Sequence, residues 1–280
     1  MQIIIARHSG FCFGVKRAVK LTRECLKKRG RKNVYSLGPL IHNKYVVSDL
    51  SKEGLKVRKN LGGIKKSYCI IPSHGIDASR LKTQKGVIFI DATCPFVFKA
   101  QELVKKLASS GYEILILGDK NHPEVKGLIG ISSGKAKVVE GGKSISEALF
   151  LGKKVAFLSQ TTQSPRNFST TASELLNKGF HELRIFNTIC KDVIKRQIEA
   201  EKIARKADLV LVIGGKNSAN TKRLAEISGD FAKTYHVDSE MEIEKGWFRD
   251  VKIIGIITGA STPGEFIGKV KKKIKRIKGG

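Results

Sequence analysis

Three cysteines, Cys12, Cys94 and Cys190, stand 82 and 96 residues apart, each closing a strand-like run and opening a helical pattern. No other feature constrains the fold as much. The runs are Ile3-Ile4-Ile5-Ala6, Val87-Ile88-Phe89-Ile90 and Leu183-Arg184-Ile185-Phe186. After them, Val15, Ala18, Val19 and Thr22 share one helical face, and Val97, Ala100, Val104, Leu107 and Ala108 another. The third face runs through Ile194 and Ile198 to Ile203. A second strand then ends in Gly and a polar turn at Gly38, Gly118 and Gly214, which lie 26, 24 and 24 residues beyond the cysteines. A third strand leads into polar loops holding His74, Thr161 and Ser261, at offsets of 62, 67 and 71.

Short apolar strands alternating with helices imply parallel βαβ units. The repeat predicts an α/β chain of three small domains, residues 1–93, 94–189 and 190–280, related by a pseudo-threefold axis as a trefoil. In open parallel sheets ligands sit at the carboxyl ends of the strands, where all the polar loops fall. With those ends turned inward, the three thiols meet at one central site ringed by His, Asn, Ser and Thr. The bland alternative is three ordinary buried cysteines in duplicated domains. Convergent thiolates suit a soft metal centre. They could close a zinc site with a histidine, or hold an iron–sulfur cluster with one iron left without a protein ligand. Cys25 and Cys69 lie outside the repeating position and read as packing residues.

The chain of 280 residues carries a net charge of +28 and a pI near 10.0. Seven of its last twelve residues are Lys or Arg, around a buried stripe of Val270, Ile274 and Ile277. Dispersed positive charge concentrates anions, small phosphates included. Neither zinc-finger spacing nor an aromatic-and-basic RNA-binding pattern is present, so nucleic acid is not the expected partner. Apolar runs stop after four or five residues, which leaves no membrane span. The start lacks a secretory pattern, and five scattered cysteines suit a reducing compartment, so the expected location is the cytoplasm.

A series of motifs carries a family resemblance. Gly10-Phe11-Cys12-Phe13-Gly14-Val15, Leu40-Ile41-His42-Asn43, Ser73-His74-Gly75 and Asp91-Ala92-Thr93-Cys94-Pro95 are followed by Asn121-His122-Pro123-Glu124-Val125 and Gln160-Thr161-Thr162. Asn187-Thr188-Ile189-Cys190, Lys216-Asn217-Ser218 and Gly259-Ala260-Ser261-Thr262-Pro263 complete it. In this order, from Gly10 to Pro263, the series resembles the 4-hydroxy-3-methylbut-2-enyl diphosphate reductase (IspH or LytB) family. The resemblance implies a trefoil around one [4Fe–4S] cluster per chain, held by Cys12, Cys94 and Cys190. It also implies two-electron removal of an allylic hydroxyl, the last step of the non-mevalonate isoprenoid pathway, with reduced ferredoxin or flavodoxin as donor.

The residue roles implied by the resemblance fit the chemistry. Allylic hydroxide is a poor leaving group and must be bound by a Lewis acid or protonated. Glu124 is the implied proton source and Thr161 its hydroxyl partner. His42, His74, His122, Ser218, Asn220, Thr161 and Ser261 are the implied substrate contacts. Glu124 also reads as a helix-start carboxylate after Pro123, and Ser218 or Asn220 as a cap for a helix near Thr221. His8, His181 and His236 read as structural or surface residues. Four positions depart from the family pattern: Val193 for a threonine, Ala219 for a serine, and Ala100-Gln101 for Val-His. Two competing readings are a basic nucleic-acid or anionic-surface binder on a decayed fold, and a zinc hydrolase using the same cysteines.

Overall fold

The computed structural model describes residues 1–28, 33–60, 62, 66–77, 81, 86–141 and 151–279, except for the side chains of Lys278 and Gly279. Lys278, counted above in the basic tail, therefore has no described side chain. The described residues form three four-stranded sheets, parallel throughout.

The first sheet orders β1 (Gln2–Ile5), β12 (Ile253–Thr258), β10 (Leu209–Ile213) and β11 (Lys233–Val237). The second orders β3 (Lys56–Arg58), β2 (Val34–Leu37), β4 (Ser67–Ile71) and β5 (Val87–Asp91). The third orders β7 (Ala136–Val139), β6 (Glu113–Leu117), β8 (Lys154–Ser159) and β9 (Glu182–Phe186). Central strands such as β10, Leu-Val-Leu-Val-Ile, are buried along their whole length, because helices cover both faces of a parallel sheet. The edge strands β1, β5 and β9 alternate or lie half-exposed.

Sheet membership does not follow cuts made at the cysteines. β1 pairs with β12, Ile3 opposite Ile254 and Ile5 opposite Ile256, so the opening strand completes the sheet built by the last strands of the chain. β5 and β9 occupy the equivalent edge of the other two sheets. Each of these three edge strands runs out through its cysteine into a helix: α1 (Phe13–Lys28), α3 (Pro95–Ser109) or α6 (Lys191–Ala204). The first sheet lies in a compact unit made of Met1–Lys16, Ile41–Asp49 and Lys191–Gly280. The other two lie in a second unit made of Arg17–Leu40 and Leu50–Cys190.

Local signals start the helices where the sequence suggests. Pro95 and Pro123 sit in the first turns of α3 and α4 (Pro123–Ile131), where a missing N–H costs nothing. Ser164 caps α5 (Pro165–Leu176), its hydroxyl accepting the Asn167 N–H at 3.0 Å. Asn43 caps α2 (Lys44–Lys52) by accepting the N–H groups of Tyr45 and Val46. The apolar faces read from α1 and α3 are buried as expected. The α6 face is corrected at Ile198, which is exposed, whereas Val193, Ala200 and Ile203 face the core. In the final helix, α8 (Glu265–Gly279), Phe266, Val270 and Ile274 join a cluster with Leu211 and Ile256, and the lysines stay outside. Gly255 of β12 admits α6, since a Cβ there would stand 2.6 Å from the Ile203 side chain. None of the helices is long and apolar enough to cross a membrane among the described residues.

Phe157 of β8 is fully buried and stacks on Phe168 at 5.0 Å. Phe157→Ala is expected to cost about 3–5 kcal/mol. Urea denaturation checks this, and an unchanged midpoint would refute the packing role.

Candidate active site

The three cysteines occupy equivalent backbone seats. The N–H of Cys12 donates to Ala260 O at 3.0 Å, that of Cys94 to Ser73 O at 2.9 Å, and that of Cys190 to Thr161 O at 2.9 Å. Each acceptor lies two residues beyond the end of the neighbouring central strand, β12, β4 or β8. The ladder therefore runs on past the edge strand far enough to orient the cysteine. Each cysteine then begins a helix, with Lys16 N–H bonded to Cys12 O and Phe98 N–H to Cys94 O, both at 2.9 Å.

A helix N-terminus favours a thiolate through its unpaired N–H groups, and Val15 N–H already donates to Cys12 Sγ at 3.4 Å. Burial acts the other way and leaves the Cys12 pKa raised, so a metal that takes this thiolate must displace a proton. All three cysteines are half-buried and free of disulfides. Such a soft donor set fits iron–sulfur ligation. Among the described residues no three His, Cys, Asp or Glu groups gather around a single ion. Cys25 and Cys69 are buried, and burial pushes the Cys69 thiol up to about 11, which suits packing.

In the second unit the acid and its hydroxyl are brought together. Glu124, 2% exposed, lies in the first turn of α4. One of its oxygens accepts the Thr161 N–H at 2.7 Å and the other the Thr161 hydroxyl at 2.9 Å. Burial raises its pKa to about 7 against the opposing pull of those two bonds. Thr161 thus holds the acid with its N–H and hydroxyl and seats Cys190 with its carbonyl. His122 caps α4, its Nδ1 accepting the Glu124 N–H at 3.2 Å. Its ring meets that of His74 edge-on, with centroids 6.5 Å apart. Burial lowers the His74 pKa; its Nδ1 faces Gly75 O at 2.8 Å and its Nε2 faces Pro39 O at 3.3 Å.

The first unit gathers the remaining candidates. Ser218, rather than Asn220, caps α7 (Ala219–Gly229), its hydroxyl accepting the Thr221 N–H at 3.3 Å. Asn220 is 4% exposed, and neither its amide nitrogen nor its amide oxygen has a hydrogen-bond partner among the described residues. Buried polar atoms are normally satisfied, at a cost of about 1–3 kcal/mol for each unmet one, so this amide has a donor and an acceptor to offer a ligand or a water. The Ser261 hydroxyl donates to His42 O at 3.2 Å. Gly215 lets that carbonyl approach, since a Cβ would stand 2.5 Å from it. Lys216 of the same loop is engaged elsewhere, with Glu242 at 2.6 Å. His236 bonds Gly214 O and His8 bonds Glu199, in line with their structural reading.

Several positioning residues escape a reading by motif. Arg17 of α1 donates to Thr93 O at 3.0 Å and Asp91 O at 3.2 Å, bracing the Cys94 loop. Arg196 of α6, buried and paired with Asp192 at 2.7 Å, donates to His8 O, Gly10 O and Thr258 O around the Cys12 loop. Asp91 and Asn187, each three residues before a cysteine, accept the N–H groups of Thr93 and Ile189 in matching turns. A basic residue five or six positions after a cysteine was the available signal for Arg17 and Arg196. Helical periodicity did not separate these two from surface lysines.

Comparison with known proteins agrees with this geometry. The sequence model of the LytB protein family matches residues 3–275. The chain is 45% identical over 280 residues to 4-hydroxy-3-methylbut-2-enyl diphosphate reductase of Geobacter metallireducens, covering 99% of this chain and 98% of that one. It is also 45% identical to the enzyme of that name from Campylobacter hominis, covering 99% and 100%. A solved (E)-4-hydroxy-3-methyl-but-2-enyl diphosphate reductase, described as the terminal enzyme of the non-mevalonate pathway, matches with TM-score 0.69 and 42% identity over 98% of this chain and 99% of that one. A reductase structure from Plasmodium falciparum matches with TM-score 0.89 and 28% identity, covering 98% and 87%.

The raised Glu124 pKa has a thermodynamic consequence. An acid harder to ionise when folded retains protons that the unfolded chain loses, so stability falls as pH rises from about 4.5 to about 7. In metal-free protein, Glu124→Gln should remove a decline of about 3 kcal/mol across that window. Urea titrations of both forms from pH 4 to 8 test this, and parallel curves would contradict it.

Proposed function

This chain belongs to the LytB protein family, and on that premise we propose that its sites work together as a 4-hydroxy-3-methylbut-2-enyl diphosphate reductase. The family is one of iron–sulfur oxidoreductases. The reaction takes up two electrons and two protons, breaks the allylic C–O bond, forms a C–H bond and releases water. Its products are isopentenyl and dimethylallyl diphosphate. The cytoplasm is the proposed setting, and reduced ferredoxin or flavodoxin the proposed donor.

The observation that carries this reading is the threefold identity of the cysteine seats, each N–H anchored two residues past a central strand. Cys12, Cys94 and Cys190 would hold one [4Fe–4S] cluster per chain. When bound, the cluster supplies electrons one at a time and a Lewis-acidic iron for the allylic oxygen. A nucleic-acid binder would have no need of three matched thiol seats, or of a buried acid poised near neutrality.

The chain's own residues supply the rest. Glu124, half protonated near pH 7, delivers a proton to the departing oxygen, and the Thr161 hydroxyl orients both. Burial keeps that proton from bulk water until substrate arrives. Asn220, whose amide has no partner among the described residues, donates from its nitrogen to a diphosphate oxygen, and Ser218 and the N-terminus of α7 favour the same negative charge. Ser261 and His42 lie beside one another for the same task, and His74 and His122 for their part of the substrate. Val193, where the family has a hydroxyl, is buried and offers none.

Glu124→Gln should lower kcat by about a hundredfold or more with iron content unchanged. The wild-type kcat should fall as pH rises past about 7, where Glu124 loses its proton, and the variant should lack that limb. Asn220→Ala should raise KM by about tenfold, in keeping with the loss of a charge-assisted hydrogen bond. Anaerobic assays with dithionite and a viologen measure all three. Full activity in Glu124→Gln would refute the assignment.

A further inference from the structure

On the reductase reading, electrons reach a centre that Cys12 and Cys190 would hold, and helix α6 is joined to the segments of both. Helix α6 begins one residue after Cys190. Through Arg196 it also grips the carbonyls of His8 and Gly10, and through Glu199 it accepts the N–H groups of Arg7 and His8 at 2.6 and 2.9 Å. The helix is thus tied to the Cys12 loop through Arg196 and Glu199.

The exposed face of α6 has an uncommon composition. Lys191, Lys195, Ile198 and Lys202 follow at spacings of four, three and four, which places them in one stripe, and all four are exposed. Ile198 is 49% exposed at the middle of the stripe. Just beyond the helix, Arg205 lies 3.9 Å from the ring of Phe231, a second exposed apolar side chain. The acids of α6 are already committed: Asp192 to Arg196, Glu199 to the His8 segment and Glu201 to Arg205. Lys191, Lys195 and Lys202 have no ion pair among the described residues. The stripe thus combines an apolar centre with a rim of unneutralised cations, on a chain whose net charge is +28.

We propose that this face, Lys191, Lys195, Ile198 and Lys202 with Arg205 and Phe231, is where an acidic one-electron carrier protein docks. The inference rests on the reductase reading above and adds the place of electron entry. Charge complementarity selects the partner: opposite charge on the rim steers the encounter and sets its rate, and the apolar centre holds the complex. Each docked carrier is oxidised by one electron. Two successive dockings supply the pair that, with two protons, turns the C–OH bond into C–H and water. A weak, salt-sensitive complex is what repeated exchange of carriers demands.

The test uses the iron-loaded enzyme and a strongly acidic [2Fe–2S] ferredoxin. The double variant Lys195→Glu/Lys202→Glu should lower ferredoxin-driven kcat/KM by at least tenfold at low salt and flatten its salt dependence. Viologen-driven turnover should stay at the wild-type level. Ile198→Ala should weaken ferredoxin binding several-fold by calorimetry. Lys271→Glu/Lys272→Glu on exposed α8 should change neither quantity. Wild-type binding and turnover that persist in the α6 double variant overturn the proposal, as does an effect confined to RNA binding. Loss of ferredoxin binding in the variant, alongside a wild type inactive even with viologen, would uphold the docking face and overturn the reductase reading instead.

Discussion

A single backbone hydrogen bond, made three times, underlies the rest of the site. In each repeat the edge strand ends, and the cysteine N–H still finds a carbonyl two residues past its neighbour's last ladder position. The bond is ordinary in strength, about 1 kcal/mol net, but it fixes where the thiol starts and hence where the following helix points its N-terminus. Without it the cysteine would belong to a loop free to turn. Arg17 and Arg196 show how the fold protects that geometry: each ties up loop carbonyls beside a cysteine that would otherwise seek water.

The acid is governed by a related economy. Glu124 is placed by helix-start chemistry, with Pro123 in the first turn and His122 as cap, and any helix could do as much. What makes it an acid near neutrality is burial, which outweighs the two hydrogen bonds from Thr161 that favour its charged form. Gly118 contributes by leaving room for Gln160 and Val125, which a Cβ would meet at 3.0 and 2.9 Å. Gln160 in turn accepts the Asp119 N–H and precedes Thr161, so the turn after β6 and the loop after β8 are locked together around the acid.

The positive charge acquires a place as well as a magnitude. On α8 the lysines flank a buried stripe and form a solvated face, as the pattern of Val270 and Ile274 anticipates. On α6 the lysines frame an exposed isoleucine beside the cysteine segments, where the apolar periodicity had assigned Ile198 to the core. A helical repeat of apolar residues identifies a face but not what covers it. That explains why the same kind of pattern was right for α3 and misleading at one position of α6.

From the chain alone, the recurring cysteines, the strand–helix alternation and the helix starts at Pro95 and Pro123 could be read, because each depends on residues close in sequence. The packing roles of Cys25 and Cys69 were legible for the same reason. Three things were settled only by tertiary structure. These are the pairing of β1 with β12, the clamp of Arg196 on the Cys12 loop, and the burial of Asn220 without a partner among the described residues. Strand partnership and solvent exclusion arise only when distant segments pack, and no local pattern records which segment that will be.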